Sequence, residues 1–489
     1  MNHSSPSAPA LRDVLIALMS AIFLGALDQT IVAVSMPAIS AQFSDVELLA
    51  WVISGYMVAM TIATPIYGKL GDLYGRRRMI LIGMGVFTGA SVLCGLAQSM
   101  EQLVFARIVQ GLGAGGMVSV SQAIIGDVVP PRERGRYQGY FSSMYAAASV
   151  AGPVVGGLMT EHLSWRWVFW LNLPLGLGAW LFMRKTLAGL HTLQRQARID
   201  YLGTVLMIVG LGSLLLGITE VGQGLAWTST PVLSLLATGA LAAFIFIWHE
   251  RRFIEPLLPM RLFADRSAVL CWCTVFFTSF QAISLSTLAP LRFQAVTGQG
   301  ADTAALFLLP LAIGLPIGAF FGGRHTARSG RFKPVILTGA ALMPVTVLGM
   351  AYTPVSTLWL SCLFMLLTGI ASGLQFPTSL VGAQNAAAAG DIGVSTSTTN
   401  LFRSLGGAVG IALMSALLLA LLGPAGDSAS SPHGNVLLDS LAAAHAQADG
   451  GRNQVADAFT LLFCISAAIA LLGLAAALAM PNRLLRGRG

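Results

Sequence analysis

Charge is scarce in this 489-residue chain. Asp, Glu, Lys and Arg make up 10% of it, against ~25% in an ordinary globular domain, while apolar residues make up 55% and mean hydropathy is +0.75. That balance excludes a water-soluble globular fold. The scarcity is also uneven. All seven histidines fall in loops or at the edges of apolar runs, and one acid alone, Asp28, lies in the middle of a run. Cysteine is rare too. Cys94, Cys271, Cys273, Cys362 and Cys464 all sit inside apolar runs, so neither a disulfide framework nor a metal site is expected. Period-two alternation is missing, which argues against a β-barrel. Met1 to Ala10 is polar and the first apolar run is too long for a leader, so no cleavable signal is expected. Nothing implies a cofactor.

What is present is a series of apolar runs, each long enough to cross a bilayer as a helix. Fourteen are read, at 14–37, 49–69, 79–98, 102–126, 137–160, 165–184, 201–220, 230–249, 267–291, 304–323, 334–353, 357–378, 396–422 and 457–480. The fold class is therefore an all-α polytopic membrane protein. With residues 1–13 placed in the cytoplasm, 23 of the 28 Lys and Arg fall on the inner side. The reverse topology inverts that bias, so both termini, 1–13 and 481–489, are expected inside. Topology accounts for the net charge of +8, and nucleic-acid binding gains nothing from it.

A repeat divides the chain. Gly68-Lys-Leu-Gly71-Asp72-Leu-Tyr-Gly75-Arg76-Arg-Arg78 and Gly323-Arg-His-Thr-Ala327-Arg-Ser-Gly330-Arg331-Phe-Lys333 superpose their first and last glycines at an offset of 255 residues. Two six-helix bundles, 14–199 and 267–480, separated by two additional helices in 200–266, produce that offset. Repeats of this kind build a central site with two access routes. The second bundle includes a polar loop at 423–455.

Asp28 lies about 21 Å along its run, well inside the hydrocarbon, where a carboxylate costs several kcal/mol unless protonated, paired or wetted. By elimination it is the candidate proton carrier; the alternative is a permanent pair that anchors helix packing. Arg107 is its natural partner. It lies about 8 Å below the outer end of span 4, and Asp28 about 13 Å below that of span 1. The alternative is an arginine snorkelling to the interface. Gln110, one turn on, could share the contact. Gly152-Pro153 breaks the hydrogen-bond ladder of span 5, and Gly156-Gly157 permits close packing.

Several stretches resemble one family. The Gly68 to Arg78 loop is similar to the loop signature of the major facilitator superfamily. Leu27-Asp28-Gln-Thr30-Ile-Val32, Arg107-Ile-Val-Gln110-Gly111-Leu-Gly113, Gly152-Pro153-Val-Val-Gly156-Gly157 and Trp165-Arg-Trp-Val-Phe169 to Asn172-Leu-Pro174 resemble motifs of its fourteen-helix drug/proton antiporters. Glu250-Arg-Arg252 to Pro256 and Leu262-Phe263 look like the linker after span 8. The resemblance runs from span 1 to the linker before span 9, and the repeat loop extends it to span 11. It implies the major facilitator fold, with spans 1 and 4 lining a cavity. It implies a gate at Gly68, Gly71, Asp72, Gly75 and Arg76 that locks the halves outward-open, and a leak-preventing bend at Gly152, Pro153, Gly156 and Gly157. The second copy carries Ala327 where the first has its acid, so a lock there must be built differently.

Cavity candidates are Thr30, Met57, Gln110, Met144, Gln281, Gln375, Phe376, Asn400 and Arg403, with Arg292 a further polar residue of the second half. Met19, Phe141 and Met365 could add soft wall, although lipid-facing or core packing suits any one of these apolar residues as well. The run at 304–323 lacks the additional acid that some relatives taking cationic drugs carry, which implies few protons per cycle. The expectation is a monomeric, multi-pass exporter of the bacterial inner membrane. It would exchange protons for lipophilic compounds, cationic or neutral drugs first among them. Alternatives are an exporter of one native lipid, siderophore or metabolite, and a signalling or scaffolding protein that has lost transport.

Overall fold

The computed structural model describes residues 8–43, 45, 48–189, 200–222, 225–253, 255–297, 306, 308–354, 357–422 and 448–485. The described residues form fourteen long helices and no strand. In chain order these are α1 Ala8–Phe43, α2 Leu49–Tyr74, α3 Arg76–Leu96, α4 Met100–Val128, α5 Pro131–His162, α6 Arg166–Thr186, α7 Tyr201–Gly222, α8 Thr230–Glu250, α9 Arg266–Thr297, α10 Leu308–Ser329, α11 Lys333–Tyr352, α12 Leu358–Ala386, α13 Ile392–Leu422 and α14 Ala448–Ala479. Twelve are long and apolar enough to cross a membrane. The remaining two, α6 and α10, have 21 and 22 residues and carry more polar ends.

Most helices outrun the apolar stretches that announce them, because hydropathy marks only their apolar middle. Helix α2 continues to Tyr74, so most of the Gly68 to Arg78 motif is helix and the chain turns only at Gly75. Gly75 has φ of 94° and its repeat counterpart Gly330 has φ of 65°, a region that glycine enters without steric cost. The stretch 423–447, most of the polar loop, lies outside the described residues, as do 190–199 and 486–489.

Helices α1 to α6 pack chiefly on one another, and so do α9 to α14. The two groups meet where α2 crosses α13 and where α5 crosses α10. A shift of 255 residues carries α2 onto α10 and α5 onto α13, so the two crossings are repeat-related. Both rest on glycine pairs. A methyl on Gly393 would lie 2.6 Å from the Gly68 carbonyl, and a methyl on Gly135 2.9 Å from the Gly323 α-carbon. Helices α7 and α8 pair with each other, and α7 lies against α2 and α13.

Candidate functional site

Helix α1 presents an inward stripe at helical spacing: Ala17, Ala21, Leu24, Asp28, Ile31, Ser35 and Ile39 are all buried. Asp28 thus occupies a core position, 1% exposed. Helix α4 brings Arg107 and Gln110 to it from one face, a turn apart. Gly111 lets α4 lie close against α2 at the same level, since a methyl there would meet the Tyr56 carbonyl.

The site is a closed network. Arg107 Nη1 donates to Asp28 Oδ2 at 2.6 Å and to Gln110 Oε1 at 2.7 Å. Arg107 Nε donates to the Val52 carbonyl at 3.2 Å. Its guanidinium lies 4.1 Å from the Tyr56 ring centroid and 5.9 Å from that of Phe169. Asp28 Oδ1 accepts from Gln110 Nε2 at 2.9 Å and from Asn172 Nδ2, on α6, at 2.6 Å. Both amides also reach Ser91 Oγ, at 2.6 and 3.0 Å. A buried ion pair repays its desolvation only when further hydrogen bonds satisfy it. Here the carboxylate has three donors, and the guanidinium has three acceptors and two ring faces. Protonating Asp28 would strip the guanidinium of its counter-charge, so the network has two electrostatically different states.

A second cluster closes one end of the group interface. Asp72 accepts Arg76 Nη2 at 2.8 Å and the backbone N–H groups of Gly393 and Val394, at 3.2 and 3.0 Å. Those amides open α13, whose dipole favours an anion there. Arg76 also pairs with Asp127 at the end of α4. A methyl on Gly71 would make only ordinary contact, 3.8 Å from Arg76 and from Val120.

Between the groups lies a cavity of about 100 Å³, lined by Gln122, Gln138, Phe141, Tyr145, Phe376, Asn400 and Arg403 among others. Asn400 Nδ2 donates to Gln122 Oε1 across the interface at 2.7 Å. Arg403 lies 5.5 Å from the Tyr145 ring and 5.2 Å from that of Phe376, and no acid pairs with it among the described residues.

Other candidates are placed elsewhere. Thr30 Oγ1 bonds the Ala148 carbonyl at 3.0 Å beneath Gly152, tying α1 to α5. A methyl on Gly156 would crowd Ile31, whereas one on Gly157 would meet nothing within 4 Å. Gln281 exchanges hydrogen bonds with Ser466 of α14, and Gln375 accepts from Thr278. Arg292 caps carbonyls at the end of α11. Met365 is core, Met19 and Met144 pack against the core of the first group, and Met57 is half exposed.

Sequence reasoning gave no role to Asn172, Ser91, Tyr56, Gln122, Gln138 or Tyr145. Asn172 stood within a recognised stretch of α6, and that was its one signal. Ser91 and the others are ordinary residues of helix interiors until the packing is known.

Helices folded on a repeat-related pair of interface crossings, with a sealed charge pair in one half, define a membrane transport protein. The chain belongs to the Major Facilitator Superfamily, whose family model matches residues 18–411. It is 34% identical over 422 residues to multidrug transporter protein MdtP of Bacillus subtilis, covering 86% of this chain and 78% of the relative. It is 31% identical over 415 residues to multidrug resistance protein 3 of the same organism, covering 84% and 80%. Its fold resembles that of the proton:xylose symporter XylE, with a TM-score of 0.63 at 15% identity over 98% of both chains.

Proposed function

We propose that the protein is a proton-driven antiporter that exports lipophilic compounds by alternating access, as a monomer in the bacterial inner membrane. All fourteen long helices would cross the bilayer, with both termini cytoplasmic. The bundles would be 14–199 and 267–480, and 200–266 would carry the two additional helices. The observation that carries this reading is the sealed Asp28–Arg107 pair, a titratable group held in the interior by polar partners from α4 and α6.

In this reading the Asp72 cluster and the two glycine crossings form the cytoplasmic gate, closed here, so the transporter faces outward. A proton arriving from outside neutralises Asp28 and releases Arg107 from its counter-ion. The rearranged α1–α4 contact then favours the inward-facing state. Cargo and proton compete for one cycle, and each can shift the equilibrium only by its differential affinity for the two states.

The cargo reading is supported by the names of the two Bacillus relatives and by the aromatic wall of Phe141, Tyr145 and Phe376. A second reading is favoured by Arg403. The charged side chain lining this cavity is a cation, so neutral or weakly acidic cargo suits it better than cationic drugs. Proteoliposomes with an imposed pH gradient test both. Asp28→Asn should bind substrate yet lose gradient-driven efflux. Efflux that still follows the gradient in that variant would overturn the coupling. Competition by a panel of anionic, neutral and cationic compounds, with and without Arg403→Gln, would rank the cargo.

A further inference from the structure

Helices α7 and α8 have no part in that mechanism, yet their bases converge on an unusual cluster. Asp200 caps α7, its Oδ1 accepting the Gly203 N–H at 2.7 Å and lying 2.8 Å from His249 Nε2. Glu250 ends α8, with Oε2 accepting the Leu258 N–H at 2.9 Å and Oε1 the Leu257 N–H at 3.3 Å. The two acids are 4% and 2% exposed. Asp200 Oδ2 is buried and has no donor. It faces Glu250 Oε1 beside the Gly203 α-carbon. A methyl on Gly203 would strike Asp200 Oδ2 and lie 2.7 Å from Glu250 Oε1. Ionised carboxylates only accept, so two of them cannot satisfy each other; one proton between them can.

We propose that Asp200 and Glu250, with His249 alongside, form a second proton-binding site, an acid–carboxylate pair that clasps the additional helices to the linker leading into α9. The protonated Glu250 donates to Asp200 Oδ2 while still accepting the linker amides. Beyond Leu258 the linker reaches Arg261, which makes a forked pair with Asp391 at 3.0 and 2.7 Å. Asp391 directly precedes the α13 amides that hold Asp72. The clasp therefore connects to the gate through one short segment.

The charged groups around the pair come from every neighbouring element. Lys69 and Asp72 of α2, Glu250 and Arg251 from the end of α8, Glu255 and Arg261 of the linker and Asp391 line one cavity of about 480 Å³. Arg252 is stacked on Trp248 at 4.2 Å. Loss of the shared proton leaves two facing anions at the hairpin base. It loosens the Leu257 and Leu258 amides and with them the Arg261 anchor. The proton site stands on this geometry alone; that it senses the cytoplasmic side rests on the topology proposed above.

The test uses the full chain in lipid nanodiscs. Infrared titration should show a protonated-carboxyl stretching band that survives in Asp28→Asn and disappears in both Glu250→Gln and Asp200→Asn. Absence of the band in the wild type, or its persistence in both clasp variants, would overturn the proposal. Hydrogen exchange gives an independent reading if a clasp variant fails to fold. After correction for intrinsic rates, exchange at Leu257 and Leu258 in the wild type should rise about tenfold as the band titrates away. Exchange that stays flat through that titration would also overturn it. Survival of the band in Asp28→Asn keeps this outcome separate from failure of the transport mechanism.

Discussion

Asn172 donates its side-chain amide to Asp28 Oδ1 at 2.6 Å, although 144 residues separate the two. The bond ties α6 to α1 and makes the carboxylate a three-helix site rather than a two-helix pair. Replacing Asn172 with Ala removes one of three donors. A hydrogen bond to a charged group contributes roughly 1.5–3 kcal/mol, so the variant should unfold at lower temperature by that measure. In an Asp28→Asn background the loss should shrink, with a coupling of at least about 1 kcal/mol in a double-mutant cycle. Additive losses would mean that Asn172 acts through packing alone.

Arg107 makes contacts that a lysine cannot copy. Its fork spans Asp28, Gln110 and Val52 while its plane lies over Tyr56. Arg107→Ala leaves a buried carboxylate uncompensated, at a cost of about 3–5 kcal/mol. Arg107→Lys should fold better yet transport poorly, because it keeps the charge and loses the geometry. Pairing Arg107→Gln with Asp28→Asn should restore thermal stability and leave the gradient-driven flux lost. Recovery of flux in that double variant would count against coupling through the pair.

The proposed gate makes a conformational prediction. A methyl on Gly393 would lie 2.5 Å from Asp72 Oδ1 and 2.6 Å from the Gly68 carbonyl. Gly393→Ala should therefore push α2 and α13 apart at this end. Spin labels near the ends of the two helices should report a longer distance than in the wild type, and Asp72→Asn should lengthen it in the same direction. An unchanged distance in both would show that the cluster does not hold the interface closed.

Acid should release the C-terminal segment. Arg483 pairs with Asp265 at 2.7 Å, and Leu485 donates its N–H to the Gly330 carbonyl at 2.8 Å. Partial burial opposes ionisation of Asp265. The Arg483 guanidinium and the Ser267 and Ala268 amides outweigh it and hold the carboxyl below its ordinary value. A depressed carboxyl contributes stability that is present above its unfolded value and lost as pH falls through its folded one. Tail protection against hydrogen exchange should thus weaken on the acid side of the ordinary aspartate range. Both side chains are partly exposed, so the effect should be small, roughly 0.5–1 kcal/mol. Arg483→Ala should remove this pH dependence.

Much of the architecture was legible because the bilayer imposes it. An apolar run long enough to cross has one economical conformation, and the positions of Arg and Lys argue for its direction. The fourteen runs therefore reappear as fourteen long helices. Asp28 was conspicuous for the same reason, since a lone mid-run acid has no cheap explanation. Its pairing with Arg107 could be anticipated from compatible depths together with the family resemblance, which places spans 1 and 4 around one cavity. The partners Asn172 and Ser91 could not, because an uncharged polar side chain in a helix interior carries no comparable energetic signature.

The cavity between the two helix groups shows the boundary most clearly. Phe376, Asn400 and Arg403 reach it, whereas Thr30, Gln281 and Gln375 spend their hydrogen bonds inside one half. All are polar or aromatic residues of apolar helices, indistinguishable by spacing. What the sequence by itself determined is the helices, the repeat and the one expensive carboxylate. These follow from the cost of polar groups in hydrocarbon, which is paid residue by residue. Only the tertiary structure decided which polar groups meet, because that depends on how far helices rotate and how closely their glycines let them approach. It also joined the Asp72 carboxylate to amides 321 and 322 residues away, and brought Asp200 and Glu250 together beside Gly203 at the base of the extra hairpin.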